Sequence, residues 1–148
     1  MKVNPIPDGY HTVTPYIIVN GAVTLIEFLK KAFDAKEIYI SKAPDGRIMH
    51  CEMQVGDSKV LIGEPFPNSS AMPMNFYLYV PDTDATYKKA LEAGGISVME
   101  PADQFYGDRN AGVKDPIGNS WWIGTRIENV PPDEMKRREE EFMKEMKG

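Results

Sequence analysis

The sequence repeats itself weakly with a period of 61 residues. The apolar runs TPYIIV at residues 14–19 and NFYLYV at residues 75–80 each precede a segment in which apolar residues recur at helical spacing. The dipeptide Ile62-Gly63 recurs as Ile123-Gly124 at the same offset. Two anchors at one offset indicate a doubled module, so the chain is restricted to folds that contain two copies of one supersecondary unit.

Each copy of the repeat predicts one strand, one helix and then three strands. In the first copy the expected helix and the later strands are 22–33, 37–41, 48–55 and 59–63. In the second copy they are 83–93, 96–100, 111–114 and 120–126. The two-residue Gly56-Asp57 turn predicts a hairpin in which Glu52 lies opposite Leu61.

The chain therefore predicts an α+β fold in a single domain, residues 1–148. The modules occupy about 10–64 and 74–127, and a linker rich in Pro and Ser joins them over 65–73. A final helix over about 132–147 carries a sparse apolar stripe that includes Phe142. We expect this helix to pack on the sheet domain or on a partner chain, with a free solvated helix as the alternative.

Alternation along the strands assigns two faces to the predicted sheet. The face expected under the helices is almost wholly apolar and comprises Val13, Ile17, Val19, Cys51, Met53, Val55, Val60, Ile62, Phe76, Leu78, Val80, Trp121 and Ile123. The opposite face is polar with large aromatic residues and includes Thr14, Tyr16, His50, Glu52, Leu61, Asn75, Tyr77, Tyr79 and Trp122. This face is either a solvated antiparallel sheet or an aromatic-walled pocket, and we favour the pocket.

Composition removes several classes of function. The 17 Lys and Arg against 22 Asp and Glu give a net charge of −5, which argues against a nucleic-acid partner. The uncharged segments 10–26 and 65–81 contain Pro, Asn or Gly, so neither predicts a membrane-spanning helix. Cys51 is the single cysteine, which excludes an intrachain disulfide and favours a reduced, cytoplasmic setting. We expect Cys51 to be a buried, inert thiol.

Several strings resemble the glyoxalase/bleomycin-resistance/dioxygenase superfamily, also called vicinal oxygen chelate, and in particular its PhnB-like branch. They are TPYIIV at 14–19, KKAFDA at 30–35, DGRIMH at 45–50, VGDS at 55–58 and DPIGNSWWI at 115–123, followed by Thr125-Arg126. The resemblance spans about residues 10–130. It implies paired βαβββ modules that form a curved eight-stranded mixed sheet around a pocket, usually in a homodimer.

The resemblance also implies four positions for metal ligands, which in metal-dependent members carry His, Glu or Gln. In this sequence those positions hold Thr14, Leu61, Asn75 and Trp122. Leu61 and Trp122 cannot ligate a metal, and the neutral Thr14 and Asn75 are poor ligands for divalent transition metals. We therefore predict no metal and no cofactor, and we expect Trp122 to fill the pocket or offer a stacking surface.

Four other residues are candidates for chemistry. His50 and Glu52 form either an acid/base pair or a cross-strand polar pair without chemistry, and we favour the second. Tyr106 and Arg109 either orient an anionic or planar ligand or belong to a structural Asp108–Arg109 turn, and the sequence does not choose between these.

The sequence as a whole predicts a homodimeric protein that binds a small aromatic or planar molecule without a metal. The expected ligand-binding residues are Tyr16, His50, Glu52, Leu61, Asn75, Tyr77, Tyr106, Arg109 and Trp122. The alternative is an enzyme of the superfamily, of the lyase, isomerase or dioxygenase type, with an atypical site around His50, Glu52 and Tyr106. No catalytic residue is identified beyond His50 and Glu52 as candidates.

Overall fold

A computed structural model describes residues 2–147 as eight strands and three helices. The first module contains β1 (Tyr16–Ile18), α1 (Ala22–Phe33), β2 (Lys36–Lys42), β3 (Ile48–Val55) and β4 (Ser58–Gly63). The second contains β5 (Asn75–Tyr79), α2 (Thr83–Glu92), β6 (Ile96–Asp103), β7 (Asp108–Lys114) and β8 (Ser120–Arg126). The C-terminal helix is α3 (Pro132–Lys147).

Each module forms its own four-stranded mixed sheet, with the strand orders β1-β4-β3-β2 and β5-β8-β7-β6. In both sheets the first strand runs parallel to the last, and the remaining pairs are antiparallel. The predicted α+β fold of two βαβββ modules is confirmed, and its eight strands divide into two sheets. The register of the β3–β4 hairpin places Glu52 opposite Leu61, as its two-residue turn predicts.

The two modules share one hydrophobic core because their helices pack against each other. Helix α1 buries Leu25, Ile26 and Leu29 against the apolar face of the first sheet. It ends at Asp34, which adopts a left-handed conformation, and the backbone N–H of Ala35 donates to the carbonyl of Leu29. At this end of the helix, the ring of Phe33 lies 5.2 Å from that of Trp121 in the second sheet. The core is therefore continuous across the modules.

The face alternation expected from the sequence holds within the strands. Ile17, Cys51, Met53, Ile62, Trp121 and Ile123 are all buried on the helix side. Val13 was wrongly placed on this face, because it precedes β1 and is 82% exposed. The polar and aromatic faces of both sheets point away from the shared core, so the helices leave them uncovered.

A single carboxylate organises the turn between β7 and β8. Asp115 is buried and accepts hydrogen bonds from the backbone N–H groups of Ile117, Gly118 and Asn119. It also accepts from the Asn119 amide and from Nε1 of Trp121, at 3.0 and 2.8 Å. These five bonds explain the Asp-Pro-x-Gly-Asn string and fix Trp121 in the core.

Helix α3 lies on the surface and buries none of its residues. It is attached through Phe142, whose ring lies 4.9 Å from that of Phe105, and through Arg138, which donates to the carbonyl of Phe105 and pairs with Glu128. Glu134 pairs with Arg137 and Arg138 within the helix. No helix within residues 2–147 is both long and apolar enough to cross a membrane.

Candidate functional site

The exposed face of the second sheet carries a connected network of tyrosines around one carboxylate. Asp108 in β7 is only 6% exposed. Its Oδ2 accepts hydrogen bonds from the hydroxyls of Tyr77 and Tyr79 in β5, at 2.7 and 3.0 Å. Asn110, two residues further along β7, donates from Nδ2 to the hydroxyls of Tyr77 and Tyr106, at 3.1 and 2.6 Å. Three phenol rings are thereby fixed by two buried polar side chains.

The network keeps both strand tyrosines protonated. Burial is the largest cause of the raised pKa of Tyr77; the hydrogen bond to Asp108 adds to it and the one from Asn110 opposes it. The hydrogen bond to Asp108 is the main cause of the raised pKa of Tyr79. Both hydroxyls therefore act as hydrogen-bond donors at neutral pH.

One acceptor in this network has no partner. Asn110 is 3% exposed, and its Oδ1 is buried without a hydrogen bond to any atom of residues 2–147. A buried carbonyl oxygen that loses its hydrogen bond to water costs about 1–3 kcal/mol. The face therefore contains a position where a hydrogen-bond donor from outside the chain is energetically favoured.

Two glycines allow the aromatic rings to lie over the second sheet. A Cβ atom at Gly112 would lie 2.6 Å from Cζ3 of Trp122, the residue directly opposite it in β8. A Cβ at Gly124 would lie 2.5 Å from the hydroxyl oxygen of Tyr77. Because neither position tolerates a side chain without movement of the ring, the glycines determine where Trp122 and Tyr77 rest.

The equivalent face of the first sheet holds a second polar and aromatic group. The rings of Tyr16 and His50 are stacked, with centroids 6.4 Å apart. Nε2 of His50 lies 3.9 Å from Oε1 of Glu52, and that oxygen accepts a 2.6 Å hydrogen bond from Tyr10. Burial, then this hydrogen bond, raises the pKa of Tyr10 to about 12. Leu61 lies beside Glu52 in β4.

The two faces are related by the internal repeat. The hydroxyl of Tyr16 would lie 3.2 Å from a Cβ at Gly63, just as that of Tyr77 lies over Gly124. The two tyrosines are 61 positions apart in the sequence, and so are the two glycines. The repeat thus reproduces a tyrosine over a glycine in each sheet, whereas the polar residues beside the tyrosines, His50 and Asn110, differ.

The structure brings together some of the residues expected at a site and separates others. Tyr16, His50, Glu52 and Leu61 share the first face, whereas Tyr77, Tyr106 and Trp122 share the second. The side-chain hydrogen bonds within each of these groups stay inside one module. Asn75 lies exposed at the start of β5, and no hydrogen bond joins its side chain to the Asp108 network.

Arg109 does not join these groups. It alternates with Asp108 and Asn110 in β7, so it faces α2, where it forms two hydrogen bonds of 2.8 and 2.9 Å to Asp84. A third bond joins it to Asp103 at 3.0 Å. The Asp108–Arg109 turn is also wrong, because both residues lie within β7. The Arg109 guanidinium therefore binds the carboxylates of Asp84 and Asp103, away from the Trp122 face.

The sequence missed Tyr10, Asp108 and Asn110. Asp108 and Asn110 alternate with Arg109, so a strand that begins at residue 108 places both on the Trp122 face, but these polar residues do not themselves predict a strand. Tyr10 had none, because it precedes β1 in irregular structure and reaches Glu52 only through tertiary folding.

A cavity of about 700 Å³ lies between the modules, and the sequence did not predict it. Phe33 at the end of α1, the β3–β4 turn, strand β5 and Trp121 line it. The rings of Phe76 and Trp121 stack at 4.3 Å on its wall. Phe76, Leu78 and Val80 are only half-buried as a result. This cavity adjoins the helix side of the second sheet. Tyr77 and Tyr79 also line it because β5 is an edge strand, whereas Trp122 and Tyr106 do not.

The four positions that resemble metal-ligand positions do not fit a metal. Thr14 donates its hydroxyl to the backbone carbonyl of His11, and Leu61, Asn75 and Trp122 offer no imidazole, carboxylate or thiolate. Within the part of the chain that the structure describes, no three His, Cys, Asp or Glu side chains are grouped so as to hold a metal ion.

Comparison with known proteins identifies the class. Residues 10–123 match the model of the Glyoxalase/Bleomycin resistance protein/Dioxygenase superfamily, and the chain belongs to this superfamily. An uncharacterized protein of Mycobacterium bovis is 31% identical over 135 residues, which cover 84% of this chain and 89% of that protein. A Mycobacterium tuberculosis protein shows the same identity, with 84% and 79% covered.

Solved structures agree on the fold. TioX from Micromonospora sp. ML1 superposes with a TM-score of 0.67 at 20% identity, covering 79% of this chain and 99% of that one. A PhnB protein from Bacillus cereus superposes with a TM-score of 0.59 at 15% identity, covering 78% and 99%. At these identities the likeness extends to the fold alone.

Proposed function

We propose that this protein binds a small planar aromatic molecule on its polar and aromatic sheet faces, without a metal. The observation that carries the proposal is the glycine-supported position of the Trp122 and Tyr77 rings beside an unpartnered acceptor on Asn110. Aromatic walls with a few fixed polar groups are the usual composition of a small-molecule site. Here the rings supply stacking area, and the polar network fixes orientation.

The side chains at the four family positions support a mechanism without metal. Glyoxalase or dioxygenase chemistry needs a Lewis acid held by imidazole or carboxylate groups, and Leu61 and Trp122 supply neither. At two of these positions the chain carries an apolar side chain that instead extends the surface available to an aromatic ligand.

We also infer a homodimer. Strands β1 and β5 each pair on one side only, so both sheets end in a free edge. Light scattering at micromolar concentration should report twice the monomer mass of 16.7 kDa. A monomer mass alone would contradict this inference.

The binding proposal is tested by titrating the protein with quinoline, indole and 1-naphthol while following thermal stability and tryptophan fluorescence. Wild-type protein should be stabilised by at least one of these compounds, and Trp122→Ala should lose the effect. Tyr87→Phe is the matched control, because Tyr87 lies on α2 and its hydroxyl donates to Ser97, away from both sheet faces. Binding should persist in the presence of EDTA.

Two results would contradict the proposal. If Trp122→Ala were stabilised as strongly as the wild type, the ring would not be part of the site. If Phe76→Ala lost binding and Trp122→Ala retained it, the ligand would occupy the cavity between the modules instead of the sheet face.

A second candidate function, acid/base catalysis, is favoured by the contacts around Glu52. One of its oxygens accepts a hydrogen bond from Tyr10 and lies 3.9 Å from Nε2 of His50, so a base, an acid and a phenol meet on one face. Tyr106, which the sequence grouped with them, instead bonds to Asn110 in the other module. Turnover of a ligand found in the titration, abolished by His50→Gln, would favour this candidate over binding alone.

A reduced, cytoplasmic setting remains part of the proposal. Its support is the single cysteine, which is buried under α1 and has a pKa raised to about 11, mainly by burial. A thiol in this state is a poor nucleophile and forms no disulfide within the chain.

A further inference from the structure

The carboxylate of Asp108 is buried without a cation. No Lys, Arg or His nitrogen of residues 2–147 lies within 4.0 Å of it. Arg126 is directly opposite in β8, but its side chain is exposed and forms no ion pair with Asp108. The two tyrosine hydroxyls both bind Oδ2, and no hydrogen bond within residues 2–147 reaches Oδ1.

A buried negative charge in this condition is unfavourable unless a positive charge or several donors approach it. The two tyrosine hydroxyls satisfy only part of this requirement, because both donate to the same carboxylate oxygen, Oδ2. The second oxygen therefore remains available as an acceptor for a charged donor.

An independent observation points the same way. Asn110 lies on the same face of the same strand, and its Oδ1 is also an acceptor without a partner. Among the described residues Asn110 Oδ1 is the one fully buried acceptor without a partner, and Asp108 Oδ1 receives no hydrogen bond from residues 2–147. Both oxygens favour a ligand that donates hydrogen bonds.

The aromatic rings around these acceptors favour positive charge as well. The rings of Tyr77 and Tyr79 lie with their centroids 5.0 Å apart, and Tyr106 and Trp122 border the same face. The face of an aromatic ring attracts cations, and the attraction increases when the cation is removed from water. The chain as a whole carries a net charge of −5, which attracts cations at longer range.

We infer that the face of the second sheet selects cationic aromatic ligands, namely planar ring systems with a protonated nitrogen that donates N–H hydrogen bonds to Asp108 and Asn110. This inference rests on the proposed function and adds the charge of the ligand to it. It assigns Asp108 the role of the charge-selecting residue and Trp122 the role of the stacking surface.

Three quinoline probes separate charge from stacking. Quinoline is neutral near neutral pH, N-methylquinolinium is charged without an N–H, and 4-aminoquinoline is charged with N–H donors. Calorimetric titration of wild-type protein should give the tightest binding for 4-aminoquinoline, then N-methylquinolinium, then quinoline. The affinity ratio of the first to the last should be about tenfold or more.

Two variants test the assignment of Asp108. Asp108→Asn should reduce the ratio towards one, because the charged probes should lose more affinity than quinoline does. Arg126→Gln should increase the ratio, since it removes the nearest competing cation on that face. If Asp108→Asn does not fold, Tyr79→Phe is used in its place. This variant removes one donor to the Asp108 carboxylate, so the ratio should increase, as it should in Arg126→Gln.

The outcomes distinguish this inference from the proposed function. Quinoline binding that depends on Trp122, with no preference for the charged probes, would overturn the inference and leave the proposed function standing. A preference that persists unchanged in Asp108→Asn would also overturn it. If none of the three probes bound in a Trp122-dependent manner, the inference would be overturned, and the proposed function would also be refuted if indole and 1-naphthol failed to bind.

Discussion

The Gly112→Ala substitution tests whether the ring of Trp122 is held by the glycine beneath it. The added methyl carbon would lie 2.6, 2.9 and 3.1 Å from three atoms of the Trp122 ring. Carbon atoms in contact normally lie roughly 3.5–4.0 Å apart. The backbone of Gly112 accepts an alanine without a left-handed conformation, so the ring must recede by about 1 Å.

The expected cost follows from two opposing effects. Overpacking of this kind destabilises by about 1–3 kcal/mol. Replacement of a glycine inside a strand recovers about 0.5–1 kcal/mol through reduced chain entropy. We therefore expect Gly112→Ala to destabilise the protein by about 0.5–2 kcal/mol. Quinoline affinity should fall at least about tenfold although every side chain of the proposed site is retained.

A double-mutant cycle provides the control. In the Trp122→Ala background the ring is absent, so Gly112→Ala should be neutral or stabilising by up to about 1 kcal/mol. Urea unfolding of the four proteins gives the coupling energy, which should be about 0.5–3 kcal/mol. Equal costs of Gly112→Ala in both backgrounds, or quinoline binding as in the wild type, would refute the argument.

Three further results are expected. Asp115→Ala leaves five donors around a buried turn unmatched and should cost about 3–5 kcal/mol in urea unfolding, whereas Asp45→Ala, which removes one exposed turn bond, should cost less than about 1 kcal/mol. The two arginines of α3 lower the pKa of Glu134 from 4.5 to about 2. This contribution to stability is present above about pH 4.5 and lost as the pH falls towards 2, so the helical circular dichroism should decrease over that range, and Glu134→Gln should show a smaller decrease. Cys51 should resist thiol reagents near neutral pH until the protein unfolds, and rapid labelling of native protein would contradict its burial.

The fold was accessible from the sequence because its signals are local and duplicated. The helix 22–33 and the hairpin turn at Gly56-Asp57 were read from apolar spacing and turn chemistry, and the structure has both where expected. The start of β7 was missed, because Asp108, Arg109 and Asn110 are polar and carry no strand signal. Those residues become a strand through their pairing with the neighbouring strands β6 and β8.

The candidate site was predictable only in part for a related reason. Alternation places Tyr77 and Trp122 on one face, and that information is local. Which hydroxyl meets which carboxylate depends on side chains that approach across strands, as Tyr77 and Tyr79 approach Asp108. Arg109 shows where prediction from the strand pattern ends. Its guanidinium binds Asp84 at the start of α2, and the strand pattern does not indicate that contact.

The sequence by itself determined the doubled βαβββ architecture, the identity of the two sheet faces and the unsuitability of Leu61 and Trp122 as metal ligands. These follow from periodicity and from the chemistry of single side chains. The tertiary structure alone decided that Asp108 is buried without a cation, that Asn110 keeps an unpartnered oxygen and that glycines support the rings of Tyr77 and Trp122. Burial and hydrogen-bond partners are properties of neighbours in space, and a one-dimensional pattern does not contain them.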